Sequence, residues 1–210
     1  MHAGADTNGH RPPTVHGSLG IFGGTFDPVH MGHLVAATWA RERLGLERVL
    51  LVVANDPWQK AGTRTLTPAE DRFKVVEAAV AEVPGLEASR LEIDRGGPSY
   101  TADTVDALRA EHPGLRPFVI VGADVAADMD SWHRVGDLRE RATLVIVDRG
   151  GVPSGEDPPG FEVRRVRIPA LDISSSELRD RLGRGASVDF LVPGPAIRCI
   201  RQLNLYAGPR

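Results

Sequence analysis

Apolar positions along the chain follow two rhythms that take turns. Continuous apolar and β-branched runs at 19–22, 48–54, 118–121 and 143–147 predict strands buried on both faces of a parallel sheet. Between them apolar residues recur at helical spacing, as in Leu34, Val35, Trp39 and Leu44, in Phe73, Val76, Ala79 and Val80, and in Val105 and Leu108. Two stretches alternate instead. Residues 86–93, with Leu91 and Ile93 against Glu92 and Asp94, predict a strand nearer an edge. Residues 161–168, with Val163, Val166 and Ile168 against Arg164, Arg165 and Arg167, predict a short half-exposed one.

Helix boundaries follow from local chemistry. Thr67-Pro68-Ala69-Glu70 has the capping-box arrangement with proline at the first helical position, and Pro84-Gly85 closes that helix. Thr101 is placed to cap the helix carrying Val105 and Leu108. Gly183-Arg184-Gly185 ends a helix that starts in serines, and residues 193–206 predict a last helix burying Ile197, Ile200 and Leu203. Strands alternating with helices imply an α/β fold, a doubly wound parallel sheet with right-handed crossovers. A small C-terminal helical part follows it. The informative loops all come after strands, so they share the crevice at the carboxyl ends.

Composition narrows the class without naming a task. At 210 residues the chain suits one domain, with hydrophobic and charged contents of 41% and 25% that are ordinary for a soluble protein. Residues 1–17, rich in Gly, His and Pro, read as a flexible N-terminal tail without the apolar centre of a secretory signal, and 18–210 as a single domain. A formal charge of -3 gives no pointer to nucleic acid, no apolar run approaches a bilayer span, and the single cysteine, Cys199, fits a reducing cytoplasm. Residues 150–160 read as a mobile surface loop.

The chemistry concentrates in Gly23-Gly24-Thr25-Phe26-Asp27-Pro28-Val29-His30-Met31-Gly32-His33, where a strand gives way to a helix. Paired glycines let the backbone turn and approach a ligand, and the following helix start offers N–H donors to an anion. His30 and His33, separated by three positions with Gly32 between, fall on one side of the first turn, where both rings could donate to phosphate oxygens. Two other readings stay open for the residues alone: the histidines with Asp27 could ligand a metal, or could cap and pack a helix. Two further places add to the pattern. Gly122-Ala123-Asp124 ends a strand with a glycine and an aspartate able to accept from ribose hydroxyls or to cap a helix, and Arg149 emerges at the same sheet end.

This stretch resembles the signature of the nucleotidyltransferase superfamily with the His-x-Gly-His motif, and more narrowly that of the bacterial nicotinate mononucleotide adenylyltransferases. The resemblance runs from about Leu19 to Tyr206 and includes Ile173-Ser174-Ser175-Ser176-Glu177-Leu178-Arg179, with Ser176 in place of the family's threonine. It implies a Rossmann-like nucleotidyltransferase fold in which both histidines, Ser174, Ser175 and Arg179 hold ATP phosphates. By the same resemblance the loop at 55–62 supplies Lys60 and, less clearly, Asn55 to the phosphate of the mononucleotide, although Trp58-Gln59 stand where many members carry a histidine before the basic residue. Tyr100 and Thr101 would recognise the pyridine carboxylate through backbone donors, Asp124 would bind a sugar, and Trp132 would stack on the nicotinate ring.

The reaction so implied is adenylyl transfer from ATP to nicotinate mononucleotide, yielding nicotinate adenine dinucleotide and pyrophosphate. Its cofactor would be Mg²⁺ carried on the triphosphate, since the sequence shows no carboxylate cluster to cage it. The expected partners are those two small molecules, with no nucleic acid and no membrane; a homo-oligomer stays open. Two alternatives remain: a pantetheine-phosphate adenylyltransferase, which shares the histidine and serine motifs, and a non-catalytic nucleotide sensor on the same fold.

Overall fold

The structure, a computed structural model, describes residues 18–57, 66–149 and 155–208, with the side chain of Arg149 excluded. The tail at 1–17 and the start of the loop at 150–160 lie outside the described residues. Six strands, β1 (Leu19–Gly24), β2 (Arg48–Val53), β3 (Leu86–Ser89), β4 (Phe118–Gly122), β5 (Thr143–Arg149) and β6 (Glu162–Ile168), form one sheet in the order β3-β2-β1-β4-β5-β6. Every pairing is parallel. The order reverses between β1 and β4, and loops leaving two adjacent strands on opposite sides open a crevice there.

Two apolar layers cover the sheet, and the period of the strands decides which residue serves which. In β2, Val49, Leu51 and Val53 face one layer while Leu50 and Val52 face the other, all 8% exposed or less. The first layer holds α1 (Met31–Leu44), α2 (Ala69–Val80), α7 (Ser175–Gly183) and α8 (Gly194–Gln202). The second holds α4 (Thr101–Glu111) and α6 (Val135–Arg141), with α5 (Ala123–Ala126) at the end of β4. No helix among the described residues is long and apolar enough to cross a membrane.

Four local expectations are corrected. Residues 91–95 form a short helix, α3 (Leu91–Arg95), because the chain turns after Ser89, whose hydroxyl accepts the Leu91 N–H at 3.4 Å, and because Glu92 turns inward to a buried hydroxyl. Extended Pro68 caps α2 in place of Thr67, whose carbonyl is taken by the Arg72 guanidinium at 2.8 Å. Tyr100, also extended, caps α4, and Thr101 is its first residue. The last helix stops at Gln202: Asn204 and Tyr206 have φ of 52° and 61°, left-handed values that no helix continues through. That break sends Tyr206 back beneath the β1–α1 loop.

Candidate active site

At the β1/β4 mouth lies a cavity of about 450 Å³. Gly23, Gly24, Thr25, Phe26, Gly122, His33, Tyr100, Thr101, Trp132, Ser174, Ser175 and Arg179 all line it, so loops far apart in sequence meet as the topology requires. Phe26 sits at φ 48° with its ring over Gly24, where a Cβ would lie 2.7 Å from Cζ, so only glycine fits beneath it.

The structure separates the two histidines. His33 is on the cavity wall, whereas His30 is 4% exposed and lies behind it, its ring 3.7 Å from that of His33 at 30°. The spacing in sequence gives a shared side and not a shared depth. His30 is the extended N-cap of α1, which folds its ring back over Gly32: a Cβ there would come within 3.0 Å of His30 Nδ1. The His30 backbone N–H donates to His33 Nδ1 at 3.2 Å, so a neutral His33 carries its proton on Nε2. Contacts with Phe22 and Phe26, at centroid distances of 6.0 and 5.0 Å, fix the plane of that ring.

The helix start is less open than the sequence suggests. Met31 N–H donates to Leu191 O at 2.8 Å and His33 N–H to His30 O at 2.9 Å, so two of the backbone donors expected to face an anion are already engaged. At α7 the serines stitch rather than merely cap. Ser174 Oγ accepts from Glu177 N–H at 3.2 Å, Ser175 Oγ donates to Pro28 O at 2.9 Å, and Arg179 donates to Asp27 O at 2.7 Å and Ser176 Oγ at 3.0 Å. The start of α7 is thereby tied to the β1–α1 loop.

Below the loop, Asp27 is 1% exposed, and Tyr206 donates its phenol proton to Asp27 Oδ1 at 2.6 Å. Burial, with that hydrogen bond second, pushes the Tyr206 hydroxyl well above its ordinary pKa, so it stays a donor. Arg72, also 1% exposed, donates to Thr25 O at 2.7 Å, Thr67 O at 2.8 Å and Asn55 O at 3.3 Å, joining the β1–α1 loop to both ends of the β2–α2 loop.

The far half of the cavity is built by α3, α4 and the segment before α6. Tyr100 stacks on His133 at 4.2 Å and 28°. Arg134, at φ 53°, pairs with Asp103 at 3.0 Å and Asp106 at 2.8 Å and also with Asp137, holding the Trp132–His133 segment against α4. Trp132 packs on the second apolar layer, and its indole N–H is buried with no acceptor among the described residues. Glu92, 5% exposed, is on the same wall and accepts from Thr104 Oγ1 at 2.6 Å.

Some expected residues fall elsewhere. Asn55 is off the cavity wall: its amide donates to Gly97 O at 2.9 Å and its N–H to Ser99 Oγ at 2.8 Å, which ties the β2 exit to the loop before α4. Asp124 is exposed, with its Oδ1 over Gly122, and does not line the cavity. Lys60 and the Arg149 side chain lie outside the described residues. His133, Glu92, Arg72 and Tyr206 carry no motif that marks them as site residues. Arg72 alone left a signal, since 72, 75, 76, 79 and 80 form the buried face of α2.

Comparison with known proteins gives the same picture at the level of the whole chain. The cytidylyltransferase-like family matches residues 21–181. A protein of Saccharopolyspora erythraea named "probable nicotinate-nucleotide adenylyltransferase" is 44% identical over 191 residues, 90% of each chain. One of Thermus thermophilus with the same name is 45% identical over 188 residues, 90% of this chain and 98% of its own. Among solved structures, the nicotinic acid mononucleotide adenylyltransferase of Plasmodium falciparum complexed with NaAD superposes with a TM-score of 0.74 over 91% of this chain and 98% of its own at 22% identity, a likeness of fold.

Proposed function

We infer the reaction from one premise: the chain belongs to the cytidylyltransferase-like family and, within it, to the nicotinate-nucleotide adenylyltransferases that its relatives represent. The protein joins ATP to nicotinate mononucleotide, giving nicotinate adenine dinucleotide and pyrophosphate, a step of NAD synthesis. The observation that carries this is one cavity with a donor-rich half, formed by His33, the α7 serines and Arg179, and an aromatic half, formed by Tyr100, Trp132 and His133.

In the reaction an oxygen of the mononucleotide phosphate forms a bond to the α-phosphorus of ATP, and the bond from that phosphorus to the bridging oxygen of pyrophosphate breaks. The attacking oxygen is already anionic, so no base is needed. The protein's task is alignment and relief of charge on the phosphates. His33 Nε2–H and Arg179 supply donors there; His30 holds the His33 ring from behind. ATP arrives as its Mg²⁺ complex, with the ion carried on the triphosphate together with its waters. The single cysteine supports a cytoplasmic setting.

The test is to incubate the protein with ATP and, separately, nicotinate mononucleotide, its amide counterpart and pantetheine phosphate, and to measure pyrophosphate. Release with nicotinate mononucleotide is expected. Release with pantetheine phosphate alone would move the protein to that neighbouring enzyme class, and ATP binding without release for any acceptor would make it a sensor. Trp132→Ala is expected to raise the KM for nicotinate mononucleotide about tenfold with the KM for ATP within about twofold, the loss of one aromatic stacking contact and its buried area. Steady-state kinetics with each substrate varied in turn checks this.

A further inference from the structure

Glu92 is an acidic side chain in the wall of a site for an anionic substrate, and that placement needs a reason. It is 5% exposed and lines the cavity with Ser99, Tyr100, Thr101 and Trp132. Thr104 donates to Oε1 at 2.6 Å, and Arg95 in turn donates to the Thr104 hydroxyl at 3.3 Å. Among the described residues Oε2 receives no donor. A carboxylate in a low-dielectric wall with one donor calls for positive charge or a proton donor from whatever fills the cavity.

Trp132, in the lining of the same cavity, makes the same demand. Trp132 offers an aromatic face, which attracts cations. The ring of nicotinate mononucleotide is an N-substituted pyridinium and carries a positive charge on nitrogen, beside a negative carboxylate. The start of α4, at Tyr100 and Thr101, suits the carboxylate, because a helix N-terminus is positive.

Resting on the adenylyl-transfer reading above, we propose that Glu92 is a specificity-determining residue that reads the positive charge of the pyridinium ring, with Trp132 as its aromatic partner. The pocket then selects a zwitterionic ring: donors meet its carboxylate, and an anion and a π-face meet its nitrogen.

N-methylnicotinate and nicotinate share the carboxylate and differ in the quaternary nitrogen. In calorimetric competition with nicotinate mononucleotide, the wild-type protein is expected to bind N-methylnicotinate about tenfold more tightly. Glu92→Gln is expected to shrink that preference to about twofold and to raise the KM for nicotinate mononucleotide at least fivefold, with ATP binding unchanged; Glu92→Asp, which keeps the charge, recovers most of the preference. Equal binding of the two compounds by the wild-type protein overturns the proposal without any variant, so it stays testable should Glu92→Gln not fold. A folded Glu92→Gln that retains the full preference overturns it as well. Failure of the reaction itself would show separately, as no pyrophosphate from wild-type protein and nicotinate mononucleotide.

Discussion

Replacing His33 with alanine is expected to lower kcat about 100-fold, some 2.7 kcal/mol of transition-state stabilisation, while the fold and the mononucleotide KM stay near wild type. The size follows from what the ring is prepared to do. Its Nδ1 is engaged by the His30 N–H, its plane is set by Phe22, Phe26 and His30, and its remaining proton is on Nε2. Such a donor needs no reorganisation when charge builds on the phosphates, which is where preorganised groups contribute most. His30→Ala is expected to act more mildly, about tenfold, because it removes the support behind the ring and not the donor. Single-turnover measurements with saturating ATP separate the two; equal losses would place both imidazoles on the phosphates and contradict the layered arrangement.

Arg72→Ala is expected to lower stability by about 4 kcal/mol and Tm by roughly 10 °C. Removing the guanidinium leaves the carbonyls of Thr25, Asn55 and Thr67 without their shared donor in a place 1% exposed to solvent. Buried carbonyls stripped of a partner each cost about 1–3 kcal/mol, less what relaxation recovers. Arg72→Lys is not expected to rescue, since one ammonium on a flexible stem cannot span three acceptors as a planar fork does. Calorimetric unfolding measures the shift; a Tm within about 2 °C of wild type would show that the two loops hold themselves.

What was legible in the chain follows from how its signals arise. The strands showed as continuous apolar runs because both faces of the sheet are covered, and Gly23 to His33 and Ser174 to Arg179 showed because strand-to-helix turns need unusual residues at fixed offsets. Depth was not legible: the three-residue offset of His30 and His33 fits two rings side by side or one behind the other, and the N-cap backbone at His30 decided it. Residues 91–94 read as a strand because an alternation of four also fits one helical turn, with Glu92 turned inward by a hydroxyl twelve positions away. The tie that Asn55 makes between loops was not legible either, since Gly97 and Ser99 are brought to it only by the fold.

The bond from Tyr206 to Asp27 spans 179 positions of sequence and has a consequence for biosynthesis. A nascent polypeptide emerges from its N-terminal side, so the β1–α1 turn is made early and waits, without its underlying phenol, until 179 further positions have followed. Products released by the ribosome before Tyr206 carry every histidine and serine of the two motifs and still lack the post on which the first of them rests.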